Sequence, residues 1–551
     1  MEGRQNTATG PRRTERTRWN RREAAACQRT VERLKQRASE RAAAAHVGVP
    51  RSTLRNWSRR PERINLPASV VAFFECPEGV DFLHGMLVAA HLVFCEAGPC
   101  GTRWLCQFLQ LSDLDYFVAA SYGSQHAFAI ELQRALVEFA EQEHARLAPQ
   151  MSPREITLCQ DETFHPQTCL VAIEPLSDFI LVEGYADQLD SQTWTARTHQ
   201  ALQDLPVKVV QSASEEGRSL IKHCRLGLGA HHSPDIFHIQ QDVSRAFCGK
   251  TNGAVQREAT KLRHAQRETA RLQAERDALG PTHTGLFDTQ IGLSQAEEQA
   301  ATGQWEAAKA QRQEVRDAIR GISDDYHPFD LQTGAPREAP DMAQMLEQRF
   351  DHVERLADQF AVPQSGRQLI AKARKNIGQL VATIAFFWQM FAIKMAALKL
   401  PEDLRASLAS TLLSASYLDY ASRRAATADE RRRLRTLSQA CLARVRAGPL
   451  GQLDAEHQEE VQRVVRDCAG LFQRSSSCVE GRNSQLALHH HGLHRLSDRK
   501  LAALTTLHNF FIQRPDRTTA AQRFFGRPPR NLFDWLLNRL PLPARPRHCP
   551  V

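Results

Sequence analysis

Ile156-Thr-Leu-Cys-Gln-Asp161 is a short apolar and β-branched run that closes on a carboxylate, and the fold can be read outward from it. Two further β-prone runs follow, Thr168–Glu174 and Phe179–Tyr185, divided by turn signals at His165-Pro166 and Pro175-Leu-Ser-Asp178. A helical stretch, Ser191–Leu205, leads to a fourth strand, Val207–Val210, and the acidic pair Glu215-Glu216 comes just after it. A short strand then ends near His232-Ser-Pro-Asp235 and enters a helix that carries His238. Far downstream a third acid, Glu480, opens a helix in Val479-Glu-Gly-Arg-Asn483. Taken singly, a carboxylate beside a strand end is usually a turn former or an exposed charge. Three acids on a strand–strand–helix frame are instead what a two-metal phosphoryl-transfer site needs. Hard oxygen ligands hold two Mg²⁺ or Mn²⁺ ions about 4 Å apart, against the attacking and leaving oxygens.

Three strands, a helix and a fourth strand is the order of an RNase H-like sheet. The predicted fold class is therefore mixed α/β and predominantly helical. It comprises an N-terminal helix-turn-helix and an RNase H-like catalytic core split by a large all-α insertion. The divisions expected are a basic arm (1–22), a helix-turn-helix region (23–62), a helical connector (63–150), the first part of the core (151–248), the insertion (249–472), and a closing helix with C-terminal tail (473–551). Within the insertion a heptad register places Val255, Leu262 and Thr269 on one seam position and Ala265, Leu272 and Leu279 on the other. Glu258 and Arg276 interrupt it, which points to a modest coiled coil or a long helical hairpin.

The N-terminal region carries the second signal. In Ala44-Ala-His-Val-Gly-Val-Pro-Arg-Ser-Thr-Leu54, a small residue, a glycine four later and an apolar residue six beyond match helix-turn-helix spacing. Gly48 supplies the left-handed turn, Ser52 is the expected cap, and Arg51, Arg55 and Asn56 would face a DNA groove. A plain structural hairpin shares this spacing. The segment from Arg4 to Arg22 is arginine-rich with one acid, Glu15, and suits phosphate backbones.

The 551 residues carry 71 basic and 62 acidic side chains, a moderate excess of +9. The 13 cysteines form no CxxC pair and read as reduced thiols of a cytosolic protein. No secretory leader is expected at the N-terminus, and the apolar run Ile377–Ile393 reads as a buried helix because Gln379 and Gln389 interrupt it. No phosphate-binding P-loop or dinucleotide fingerprint occurs, which argues against an ATP-driven motor or an oxidoreductase.

Asp161-Glu-Thr-Phe-His165, Ser214-Glu-Glu-Gly-Arg-Ser-Leu-Ile221, Ser233-Pro-Asp-Ile-Phe-His238, Val479-Glu-Gly-Arg-Asn483 and Thr518–Gly526 resemble the blocks of bacterial insertion-sequence transposases of the DDE type. The resemblance spans roughly residues 60–540. It implies Mg²⁺ or Mn²⁺ as cofactor, and double-stranded DNA at element ends and target as partner. It also implies a homodimer or higher oligomer in the synaptic complex, and a nucleoid-associated location in the cytoplasm. Carried over, Asp161 is the first metal ligand and Glu480 the third, with Arg482 and Asn483 set to contact DNA phosphates. The second ligand in that family is normally aspartate, where this chain has Glu215, and Asp235 is the other candidate or else a helix cap. The alternative reading is a catalytically decayed, transposase-derived DNA-binding protein. A nuclease without strand transfer is a third.

Overall fold

The computed structural model describes residues 21–58, 67–164, 167–279, 284–447, 450, 453–493 and 496–543. Most of the basic arm therefore lies outside the described residues. The protein is mixed α/β and predominantly helical, with one five-stranded sheet among the described residues. It divides into two compact units: Met1–Met151, Glu183–Tyr185 and Asn483–Val551 form one, and Ser152–Val182 with Ala186–Arg482 the other.

The sheet contains β1 (Arg154–Phe164), β2 (Thr168–Glu174), β3 (Phe179–Tyr185), β4 (Val207–Ser214) and β5 (His231–Pro234), in spatial order β3-β2-β1-β4-β5. β1 pairs antiparallel with β2 and parallel with β4, and β4 pairs parallel with β5. β2 and β3 have the expected bounds. β1 and β4 run past theirs, so Asp161 sits inside β1 rather than at its end. The extension follows from pairing, because Asp161 lies opposite Val171 and the antiparallel ladder continues to Phe164.

Alternation along β1 sends its residues to two different neighbours. On one face, Ile156 and Leu158 pack with Val209 and Cys224. Further along that face, Gln160 Nε2 lies 3.0 Å from His223 Nε2, and Glu162 accepts from the Trp194 indole at 2.9 Å. On the other, Thr157 Oγ1 lies 3.0 Å from the Leu471 carbonyl, and the Cys159 thiol lies 3.6 Å from that of Ser475. Asp161 continues this second row. The extended segment 472–476 thus runs beside β1 and delivers the helix Ser477–Leu493 to the carboxylate.

From Ile236 to Leu471 the described chain is helical apart from short connections. Helices Ile236–Leu279 and Thr284–Asp325, of 44 and 42 residues, form a long hairpin. Val255, Leu262, Thr269 and Leu272 of the expected seam are buried, and Thr269 Oγ1 meets Ser294 Oγ at 2.9 Å. The Leu279 side chain lies outside the described residues. The hairpin alternative, with a seam partly polar, is the one realised.

Two helical stretches, Pro77–Ala97 and Gln364–Ala397, are long and apolar enough by composition to cross a membrane. Within the second, Leu380, Ile384, Phe387 and Phe391 are buried in the main core beside Phe350, Tyr417 and Phe472.

Near the N-terminus, α1 (Arg21–Lys35), α2 (Glu40–His46) and α3 (Arg51–Ser58) enclose Cys27, Val31, Ala43, Ala44, Val49 and Leu54. Gly48 has φ +65°, the left-handed turn its type suits. Ser39 caps α2, whereas Ser52 falls inside the first turn of α3 and so is not its cap. Leu54 is 2% exposed in a core of six residues. Leu54→Ala should cost about 2–5 kcal/mol and make this segment the first cut in limited proteolysis. An unchanged cleavage pattern would show that the three helices do not depend on that contact.

Candidate metal centre

The parallel register of β1 and β4 builds the site. Gln160 pairs with Ser214, so Asp161, next on β1, and Glu215, just past the end of β4, come to the same end of the strand pair. Buried polar contacts accompany that register on both faces of the sheet: Ser212 Oγ donates to Gln160 Oε1 at 2.5 Å on one, and Gln211 Nε2 donates to Ser233 Oγ at 2.6 Å on the other. His223, buried on the Gln160 face, is held near 4 by burial and is therefore neutral.

Asp161, Glu215 and His238 bring their ligand atoms within 4.8 Å of one another. Asp161 is buried and the other two are half-buried. His238 lies in the first turn of the Ile236–Leu279 helix, and its Nε2 is fully covered with no hydrogen-bond partner. Burial raises the Asp161 carboxyl to about 7, and the charges of Glu480 and Glu215 push the same way. A hydrogen bond from the Glu162 backbone N–H, at 2.8 Å, and the His238 charge oppose the rise. Two carboxylates, one of which resists ionisation, and an orphaned imidazole nitrogen fit a divalent cation.

Glu480 is one turn into the Ser477–Leu493 helix and acts electrostatically on Asp161, but it stands outside the 4.8 Å cluster. The helix is fixed at its start. Asp235 Oδ2 accepts from Ser476 N at 2.9 Å and from Ser476 Oγ at 2.5 Å, while Oδ1 accepts from Phe237 N at 2.7 Å. Asp235 thus caps the helix bearing His238 and clamps the start of the helix bearing Glu480. Both of its oxygens are used by the protein. Cys478 hydrogen-bonds Cys159, a contact that together with burial drives the Cys159 thiol well above its ordinary value. That contact ties the same helix to β1.

The other expected residues divide. Arg51 and Arg55 are exposed and share Glu40, at 2.9 Å and 3.2 Å. The Asn56 side chain lies outside the described residues. Arg482 is buried at 5% exposure, so its expected phosphate contact is corrected: the side chain is inside the protein. Asn483 is half-buried, and its Oδ1 lacks a hydrogen-bond partner. The residue that sequence reasoning passed over as a ligand is His238. The available signal was its Asp-x-x-His spacing at a helix start, which puts the histidine one turn beyond a capping carboxylate.

A family model described as "Family of unknown function (DUF6399)" matches residues 408–550, a stretch that includes Glu480 and the C-terminal helices. No curated protein and no solved structure matches the chain.

Proposed function

We propose that this chain is a DNA transposase of the DDE type, using an RNase H-like core for metal-dependent phosphodiester cleavage and strand transfer at element ends. The observation that carries the reading is the convergence of Asp161, Glu215 and His238 at one end of the strand pair, with Glu480 pressing on Asp161. The strand order β3-β2-β1-β4-β5, with β2 antiparallel to β1, supports the core assignment. The three short N-terminal helices support a helix-turn-helix, with Arg51 and Arg55 exchanging Glu40 for DNA phosphates. Such an exchange is cheap, because exposed ion pairs are worth about 0–1 kcal/mol.

In this reading Asp161 and Glu215 offer carboxylate oxygens, His238 a ring nitrogen, and Glu480 a further negative charge from its helix. Mg²⁺ or Mn²⁺, when bound, would activate the attacking hydroxyl and neutralise charge on the phosphodiester. The protein positions these groups and releases the Asp161 proton as the cation enters.

Glu215 bears on whether this copy is active. Its longer side chain reaches the cluster from the residue after β4, so glutamate has the length this site uses. Glu215→Asp should therefore weaken Mn²⁺ binding by about 10- to 100-fold, the scale of a misplacement near 1 Å. Equal or tighter binding by that variant would instead mark Glu215 as a defect and favour the decayed reading. The general test is nicking of supercoiled plasmid and joining of labelled duplex ends in Mn²⁺. Cleavage without joined products would support a nuclease, and binding without cleavage a DNA-binding relic.

A further inference from the structure

We propose that the cavity lined by the helices Thr102–Leu111, Tyr122–Leu147 and Asp498–Phe510 seats one unstacked nucleobase of single-stranded DNA, with Arg103 and Arg499 on its phosphates. The proposal rests on the nucleic-acid part of the reading above, and not on the metal centre. The cavity has a volume of about 620 Å³, well within the range of small-ligand sites. Trp104 lines it and is 67% exposed, with no ring partner among the described residues. An exposed tryptophan alone is ordinary surface. Here it borders a cavity that is also lined by a stack of rings. Tyr122 and His126 lie parallel, 5.4 Å apart at 9°, and the Arg103 guanidinium is 5.8 Å from the Tyr122 ring centre.

Polar groups also line it. Lys500 is 8% exposed and donates to Glu96 at 2.7 Å and to the Cys95 carbonyl at 2.5 Å. Gln133 bridges Glu96 and Arg499, at 3.2 Å to each. Lys500 offsets Glu96, while Arg103 and Arg499 form no ion pair among the described residues, so the cavity is net cationic. A flat face, a polar edge and an adjoining anion are the features of a nucleotide whose base has left its stack. A base inside a duplex has no free face to offer Trp104.

The test is fluorescence anisotropy with a labelled single-stranded oligothymidine and a duplex of matching length. Both are measured in EDTA, which removes any contribution from the metal centre. Trp104→Ala should weaken single-strand binding by about tenfold or more, and leave duplex binding within about twofold. Trp104→Phe should recover most of the loss, because it restores a stacking face. Single-strand binding unchanged in Trp104→Ala, or reduced equally for both forms, overturns the proposal. A change in sedimentation without a change in DNA binding also overturns it, by assigning the ring to a contact between copies. If the unaltered protein binds duplex but not single strand, the cavity proposal alone fails; if it binds neither, the nucleic-acid reading fails with it.

Discussion

Asp161→Asn is expected to abolish divalent-metal binding and to lower any strand cleavage by about 10³-fold, the several kcal/mol that a positioned cation contributes to phosphoryl transfer. The amide keeps the shape of the side chain, so the effect isolates charge and ligand chemistry from packing. Asp161 is the member of the cluster that the other acids act on, and its carboxyl is raised to about 7 by burial, Glu480 and Glu215. Loading a cation must therefore release a proton below that value. Mn²⁺ affinity should fall by about tenfold per pH unit between pH 7 and pH 5, and level off above pH 8. The sign reverses for the metal-free fold. A carboxyl with a raised folded value stabilises fully below its unfolded value, near 3.8, and that stability is lost as pH rises through about 7. Metal-free protein should thus melt lower at pH 8 than at pH 5, and Mn²⁺ should restore the difference. Calorimetric titration of the protein and of Asp161→Asn across this range checks both statements. Affinity independent of pH, or retained in the variant, would remove Asp161 from the site.

The sheet was largely legible because its strands are β-branched or aromatic-rich apolar runs bounded by turn residues. Thr168–Glu174 and Phe179–Tyr185 were readable to the residue. β1 and β4 were read short because their last residues, Asp161–Phe164 and Gln211–Ser214, are polar or mixed. Their strand character comes from ladder partners distant in sequence, which a local pattern does not reveal. The same limit hid the roles within the site. Asp161 and Glu215 were identifiable from their strands, but that His238 joins them depends on where β5 hands over to the long helix. Arg482 carried a charge on a helix start and so read as DNA-facing, yet its burial depends on which side of that helix meets the protein. Ser52 misled for a nearer reason. Pro50 already occupies the position before α3, and its carbonyl accepts from Thr53 and Leu54, which moves the helix start ahead of the serine.

Asp235 separates a positioning role from a metal-binding one, and its substitution should produce the largest loss of stability. The carboxylate is 1% exposed and accepts three hydrogen bonds, two from Ser476 and one from Phe237 N. Hydrogen bonds to a charged group contribute about 1.5–3 kcal/mol each, and a buried donor left unpaired carries its own penalty. Relief of the carboxylate's desolvation offsets part of the sum, so Asp235→Ala should destabilise the protein by about 3 kcal/mol. Asp235→Asn should cost nearly as much, because its amide presents a donor to the Ser476 N–H where Oδ2 accepted. Ser476→Ala removes one donor and leaves the backbone contact, and about 1 kcal/mol is expected. Denaturant unfolding measures all three. Under conditions where Asp235→Asn remains folded, its Mn²⁺ affinity should fall by less than about tenfold, since Asp161, Glu215 and His238 keep their ligand atoms. The opposite pattern, unchanged stability with metal binding abolished, would make Asp235 a ligand and would require the Ser476 clamp to open when the cation enters.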